Sequence, residues 1–145
     1  VTTEVKGGSS MAIEWTPALA VGVDKIDQQH RMLFQKVNEL IEACNQGKGK
    51  DAVTELLGFL SDYVIFHFRD EEKLMQEHKY PDYVQHKALH DGFIKGLDEL
   101  NDQLEREGPG LALVLKTNRV VVDWLINHIS KKDKAVGEYL QRKGI

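Results

Sequence analysis

Three short breakers cut this chain into four segments, and that punctuation limits the fold more than any other feature. Residues 46–50 read QGKGK, and two glycines so close together favour a turn over a helix. Residues 78–82 read HKYPD, where Pro81 forbids smooth helical continuation. Residues 107–110 read EGPG and close the third segment. Between the breakers apolar residues recur at helical spacing, with no sustained period-two alternation. The spacing predicts helices over about 24–44, 51–77, 83–106 and 111–142. Asp51 is placed to cap the second. Their inward stripes are expected to include Val37 and Leu40, then Leu57 and Leu60, then Leu89, Phe93 and Leu97, then Val121 and Val136. Four helices with short connections predict an all-α, antiparallel up-down-up-down four-helix bundle.

The segments outside the helices carry less pattern. Residues 1–10, VTTEVKGGSS, have no apolar period and read as a linker or expression leader, which leaves 11–145 as the domain. Residues 13–23 are apolar without a helical period, so an extended arm across one end of the bundle is expected. At 145 residues and 41% hydrophobic the chain is long enough to bury one core. Nineteen basic against 23 acidic residues give a net charge of -4, which excludes nucleic acid as the main partner. No apolar run approaches the roughly 18 residues of a bilayer span, so membrane insertion is not expected. The lone Cys44 cannot form an internal disulfide, which suits a reducing cytoplasm.

Composition leaves 6 histidines to explain. In an antiparallel hairpin, residues equidistant from the turn lie at one height, at about 1.5 Å per residue. His30 and His67 lie equally far from the first turn, centred between Lys48 and Gly49. His67 and His90, and likewise Glu71 and His86, straddle the second turn near Lys79 or Tyr80. Around the third, near Gly108 or Pro109, His90 pairs with His128 and His86 with Asp133. His67 and Glu71 are four apart, as are His86 and His90, so each pair shares a helical face. Five histidines and two carboxylates thus fall in one inward-facing layer drawn from all four helices. Buried without partners, they would cost on the order of several kcal/mol in total. A metal removes that cost.

Donor number and type narrow the metal. Five imidazoles and two carboxylates exceed what one tetrahedral zinc uses and suit two octahedral ions sharing bridging carboxylates. The layer holds no thiolate, and an imidazole-rich shell suits iron. Ferritin-like di-iron sites use Glu-x-x-His pairs, and none occurs on these helices.

The set His30, His67-x-x-x-Glu71, His86-x-x-x-His90 and His128-x-x-x-x-Asp133 resembles the hemerythrins. The surrounding words DKIDQQHRMLF, HFRDEEKLM, YPDYVQHKALH and DWLINHISKKD resemble the bacterial branch of that family. The resemblance implies two iron ions, Fe2+ or Fe3+. One is then held by His86, His90 and His128, and the other by His30 and His67. Glu71, Asp133 and an oxo or hydroxo group would bridge them. It further implies reversible O2 binding at the two-histidine iron, which keeps an open position, with NO, azide and other small anions as further ligands. Leu33, Phe34, Val64, Leu125 and Ile129, each near one of these residues on its helix, are expected to line an apolar O2 pocket. The function expected is that of a monomeric oxygen carrier or store, or of the oxygen-sensing domain of a larger signalling protein. A di-iron enzyme acting on peroxide, NO or O2 is the alternative.

One spacing conflicts with a regular helix. Five residues advance an α-helix by about 500°, which leaves Asp133 about 140° from His128 and points Lys132 at the site instead. A local π-type turn between His128 and Asp133 is therefore predicted. His78, in the second breaker, is expected on the surface. Trp15, Trp124, Tyr63 and Cys44 are expected as packing residues, and the DEEK stretch, Glu71 apart, as a solvated face.

Overall fold

The computed structural model describes residues 2–4 and 12–145. Four helical rods form: α1 (Asp24–Asn45), α2 (Gly49–Glu77), α3 (Tyr83–Glu107) and α4 (111–142). The three expected breakers separate them, and α2 packs against each of the others. Asp24 and Asp27 lie in the first turn of α1, where carboxylates offset the positive end of the helix dipole. Among the described residues no helix is long and apolar enough to cross a membrane.

The second helix begins at Gly49, two residues before the expected cap, and Asp51 lies inside its first turn. The reason is a close approach between elements. A Cβ at position 49 would stand 2.8 Å from Cys44 Sγ and 3.2 Å from Val114 Cγ1. The lack of a side chain lets the start of α2 press against the end of α1 and the first turns of α4 without displacing the Cys44 and Val114 side chains. Leu89, expected inward, is 38% exposed. His86, His90, Phe93 and Leu97 take the buried face of α3, and Leu89 stands about 100° around from His90.

The fourth rod is continuous but not uniform. It runs as Leu111–Thr117, a π-helical stretch Asn118–Val122, α-helix Asp123–Asn127, a second π-helical stretch His128–Asp133, and α-helix Lys134–Arg142. The second π stretch is the one the ligand spacing predicts. No spacing in the sequence marks the first.

Before α1 the chain is only partly extended. Ala12–Glu14 pairs antiparallel with Thr2–Glu4, with Thr3 opposite Ile13. This pairing draws on a segment without apolar period, and a backbone ladder needs none. The Ile13 N–H donates to Asn38 Oδ1 at 2.8 Å, which ties the arm to the side of α1. A single 3-10 turn at Pro17–Leu19 follows. The chain then crosses the bundle end, where Val21 N–H donates to Asp27 Oδ1 at 2.8 Å. At that crossing a Cβ on Gly137 would lie 2.6 Å from Val21 Cα.

Two apolar clusters fill the interior. The larger includes Leu33, Val37, Leu40, Leu57, Leu60, Val64, Leu97, Leu100, Leu125 and Ile129. The smaller, at the end closed by the arm and the second breaker, is Met75, Val136, Tyr139 and Leu140, with Leu74, Tyr80 and Tyr83 against it. Each fully buried large aliphatic side chain contributes about 1.5–3 kcal/mol, so packing on both sides holds whatever lies between in place. A polar layer lies there.

Candidate metal centre

Each helix delivers its polar residues to that layer through its own periodicity. His30 lies less than two turns into α1, and His67 and Glu71 lie one turn apart near the end of α2. His86 and His90 open α3. The π-helical stretch begins at His128 and ends at Asp133, and the extra residue turns both toward the interior while Lys132 is exposed. All seven are at most 5% exposed.

The geometry divides the histidines into two groups. Nε2 of His128 stands 3.0 Å from His86 Nε2 and 3.1 Å from His90 Nε2. Cis donors about 2.1 Å from one octahedral ion are about 3.0 Å apart, whereas tetrahedral ones are about 3.4 Å apart. The observed spacing fits octahedral coordination. His30 and His67 form the other group, with ring centroids 4.7 Å apart.

The two carboxylates stand between the groups, each with one oxygen toward either side. Glu71 Oε1 lies 2.8 Å from His86 Nε2 and 3.3 Å from His90 Nε2, while Oε2 lies 3.1 Å from His67 Nε2 and 3.5 Å from His30 Nε2. Asp133 Oδ1 lies 3.0 Å from His86 Nε2 and 3.1 Å from His128 Nε2, while Oδ2 lies 3.0 Å from His30 Nε2. Two overlapping donor sets result: Glu71, His86, His90, His128 and Asp133, and His30, His67, Glu71 and Asp133. Both carboxylates belong to both sets.

These close approaches do not satisfy the atoms involved. His30 Nδ1 and Nε2, Glu71 Oε2 and both Asp133 oxygens are buried without a hydrogen-bond partner among the described residues. Several of them lie within ion-pair distance of a neighbour but with the wrong angles for a hydrogen bond. Each such group costs about 1–3 kcal/mol, a sum comparable to the roughly 5–15 kcal/mol stability of a whole domain. Lone pairs that converge on common points rather than on each other fit cations, and the donor set fits a di-iron group.

Protons take over part of that charge in the metal-free site. Burial alone would lower His30, but the Asp133 and Glu71 carboxylates outweigh it and raise its pKa to about 10. The same contest, again won by Asp133 and Glu71, raises His86 to about 9. For His67 burial prevails over Glu71 and the pKa falls below its ordinary value. Burial pushes Glu71 upward, yet its contacts with Asp133, His30, His67 and His86 hold it well below the usual carboxylate range. Asp133 is likewise depressed, with His128 opposing both burial and the Glu71 charge.

An outer layer, which hairpin spacing does not mark, surrounds these residues. His67 Nδ1 lies 2.7 Å from Gln29 Oε1, and His90 Nδ1 lies 2.8 Å from Glu72 Oε2. Phe68 stacks on His90 at 3.8 Å between centroids and 1° between planes. Trp124 stacks on His128 at 4.3 Å and 9°, so this packing residue covers a donor ring. The rule that pairs His30 with His67 also brings Gln29 level with Phe68, one residue from His67. Glu72 sits inside the stretch expected as a solvated face.

The other residues singled out in the sequence fall elsewhere. Leu33, Phe34, Val64, Leu125 and Ile129 are all buried in the larger apolar cluster. Tyr63 stacks on Phe59 at 4.9 Å. His78, expected on the surface, is half-buried, and its carbonyl accepts the Tyr139 hydroxyl at 2.7 Å. It belongs to neither donor set.

A four-helix bundle with a buried histidine–carboxylate cluster defines a helical cation-binding protein of the non-haem class. A family model described as the hemerythrin HHE cation binding domain matches residues 21–140. The chain is 38% identical to a bacteriohemerythrin of Methylococcus capsulatus over 128 residues, covering 87% of this chain and 95% of that protein. It is 34% identical to a bacteriohemerythrin of Stenotrophomonas maltophilia, covering 88% and 80%. A crystal structure of wild-type hemerythrin aligns with a TM-score of 0.69 at 34% identity, over 87% of this chain and 95% of that one. The chain belongs to the hemerythrin family.

Proposed function

We propose that the chain binds O2 reversibly at a di-iron centre. One ion would be held by His86, His90 and His128 and the other by His30 and His67, with Glu71, Asp133 and an oxo or hydroxo group shared between the two. The observation that carries this reading is the pair of overlapping donor sets with both carboxylates in common. The family binds a di-iron centre, and its members bind oxygen rather than act as enzymes. When bound, the iron pair supplies two electrons and a coordination position for O2.

The side chains do the rest. Five neutral imidazoles bring donors without charge, and two carboxylates bring the negative charge that two cations need at their shared edge. With one further oxygen shared by the ions, the three-histidine set would offer six donors and the two-histidine set five, which would leave room for O2 beside His30 and His67. Leu33, Phe34, Val64, Leu125 and Ile129 keep that side dry, which slows proton delivery and favours reversible binding over further reaction. Small anions such as azide, and NO, fit the same position. The chain is taken as a monomer in a reducing cytoplasm, which suits its free Cys44 thiol.

The test is visible absorption of the reduced protein before and after exposure to air, with iron counted per chain. Two irons and a charge-transfer band that appears in air and fades on removal of O2 support the reading. A protein that binds no iron on reconstitution, or whose band does not reverse, overturns it.

A further inference from the structure

The outer contacts of the two histidine groups differ in a way that bears on how firmly each holds its ion. Gln29 is 5% exposed, and its amide could in principle be placed either way round. Asp70 settles this. Gln29 Nε2 donates to Asp70 Oδ2 at 2.7 Å, and a carboxylate only accepts. The Gln29 oxygen must then face His67. Because that oxygen also only accepts, His67 Nδ1 carries the proton, and Nε2 is left with its lone pair toward Glu71 and the interior. Behind Asp70 stands Lys25, 3.3 Å away and exposed. The series runs from the protein surface to the donor nitrogen through four side chains on two helices.

His90 reaches the same state in one step, since the Glu72 carboxylate accepts directly from its Nδ1. Among the described residues His30, the other member of the two-histidine group, has no such partner at Nδ1. The group with fewer donors therefore depends on a single outer contact, and that contact passes through Gln29.

We propose that Gln29, backed by Asp70 and Lys25, is a positioning residue that fixes the His67 tautomer and thereby secures the ion held by His30 and His67. Glu72 serves His90 in the other half. The proposal rests on the di-iron reading and goes beyond it. It assigns the holding of one ion of the two to residues that never touch it. Loss of an outer partner of this kind costs about 10–100-fold in metal affinity.

The experiment is anaerobic titration of the metal-stripped chain with cobalt(II), followed by absorbance and metal analysis. The unmodified chain takes up two ions, the second in the set with fewer donors. Gln29→Met keeps the side-chain length but puts a methyl group in place of the amide oxygen and leaves only a weak thioether acceptor. It is expected to weaken the second step about tenfold or more and leave the first unchanged. Asp70→Leu, outside the core, weakens the same step by less. The double variant Gln29→Glu, Asp70→Asn places a carboxylate oxygen toward His67 and an amide donor behind it. It is expected to restore the second step, which a merely structural role for Gln29 would not. Unchanged second-step affinity in both Gln29→Met and Asp70→Leu overturns the proposal, as does failure of the folded double variant to recover it. Fewer than two ions on the unmodified chain overturns the di-iron reading and this proposal with it.

Discussion

At the scale of single residues, the site is a set of atoms left unsatisfied by their neighbours. Glu71 and Asp133 each turn one oxygen to either histidine group, which is why one substitution there should affect both ions. Asp133→Ala is expected to reduce iron from two per chain to one or none while the metal-free chain keeps its far-UV circular dichroism; retention of two irons would contradict the shared role. Gly137 is a different kind of constraint. A Cβ there meets Val21 backbone at 2.6 Å, so Gly137→Ala is expected to destabilise by about 1–3 kcal/mol. Thermal melting would read this as a lowered midpoint with iron content retained. The seven inner residues were legible in the sequence because hairpin geometry ties chain position to height. Gln29 and Glu72 were not, since both types are common on solvated helix faces and their value depends on which nitrogen of a partner they meet.

At the scale of elements, the decisive one is α4. The five-residue step from His128 to Asp133 fits only a widened helix, and the widening occurs there. Because Lys132 points outward, Lys132→Ala is expected to change stability by less than about 0.5 kcal/mol and to leave iron content unchanged. Inserting an alanine after Lys132 is another matter. The widened turn already absorbs one extra residue, so a second turns Asp133 and 134–142 by about 100° and drags Val136, Tyr139 and Leu140 off the smaller core. Iron loss with a lowered midpoint is expected from the insertion, and an insertion variant that still holds two irons would contradict the widened-helix reading. The π stretch at Asn118–Val122 could not be read from sequence, since no pair of site residues marks it. Leu89 misled because hydrophobicity alone assigned it inward, whereas the His86–His90 pair sets the rotation of α3.

At the scale of the whole molecule, stability and ion binding draw on the same buried charges. In the metal-free chain His30 and His86 are raised from 6.5 to about 10 and about 9. Their contribution to folding is complete below pH 6.5 and is lost as pH rises through 9 and 10. Glu71 and Asp133 act at the acid side, contributing above their ordinary 4.5 and 3.8 and failing as pH falls further. Ions must displace the protons on His30 and His86, so affinity rises with pH over the same window. The gap in melting temperature between iron-loaded and metal-free protein is therefore expected to widen from pH 6.5 to pH 9; a constant or shrinking gap would contradict this. The bundle itself followed from three breakers and four apolar stripes, because short connections leave antiparallel packing as the simplest way to bury them. Whether two ions share Glu71 and Asp133 can be read from anomalous diffraction at the iron edge. Two peaks per chain are expected about 3.5–4 Å apart, each within bonding distance of one oxygen of both carboxylates. A single peak, or two peaks with either carboxylate bound to only one, would contradict that sharing.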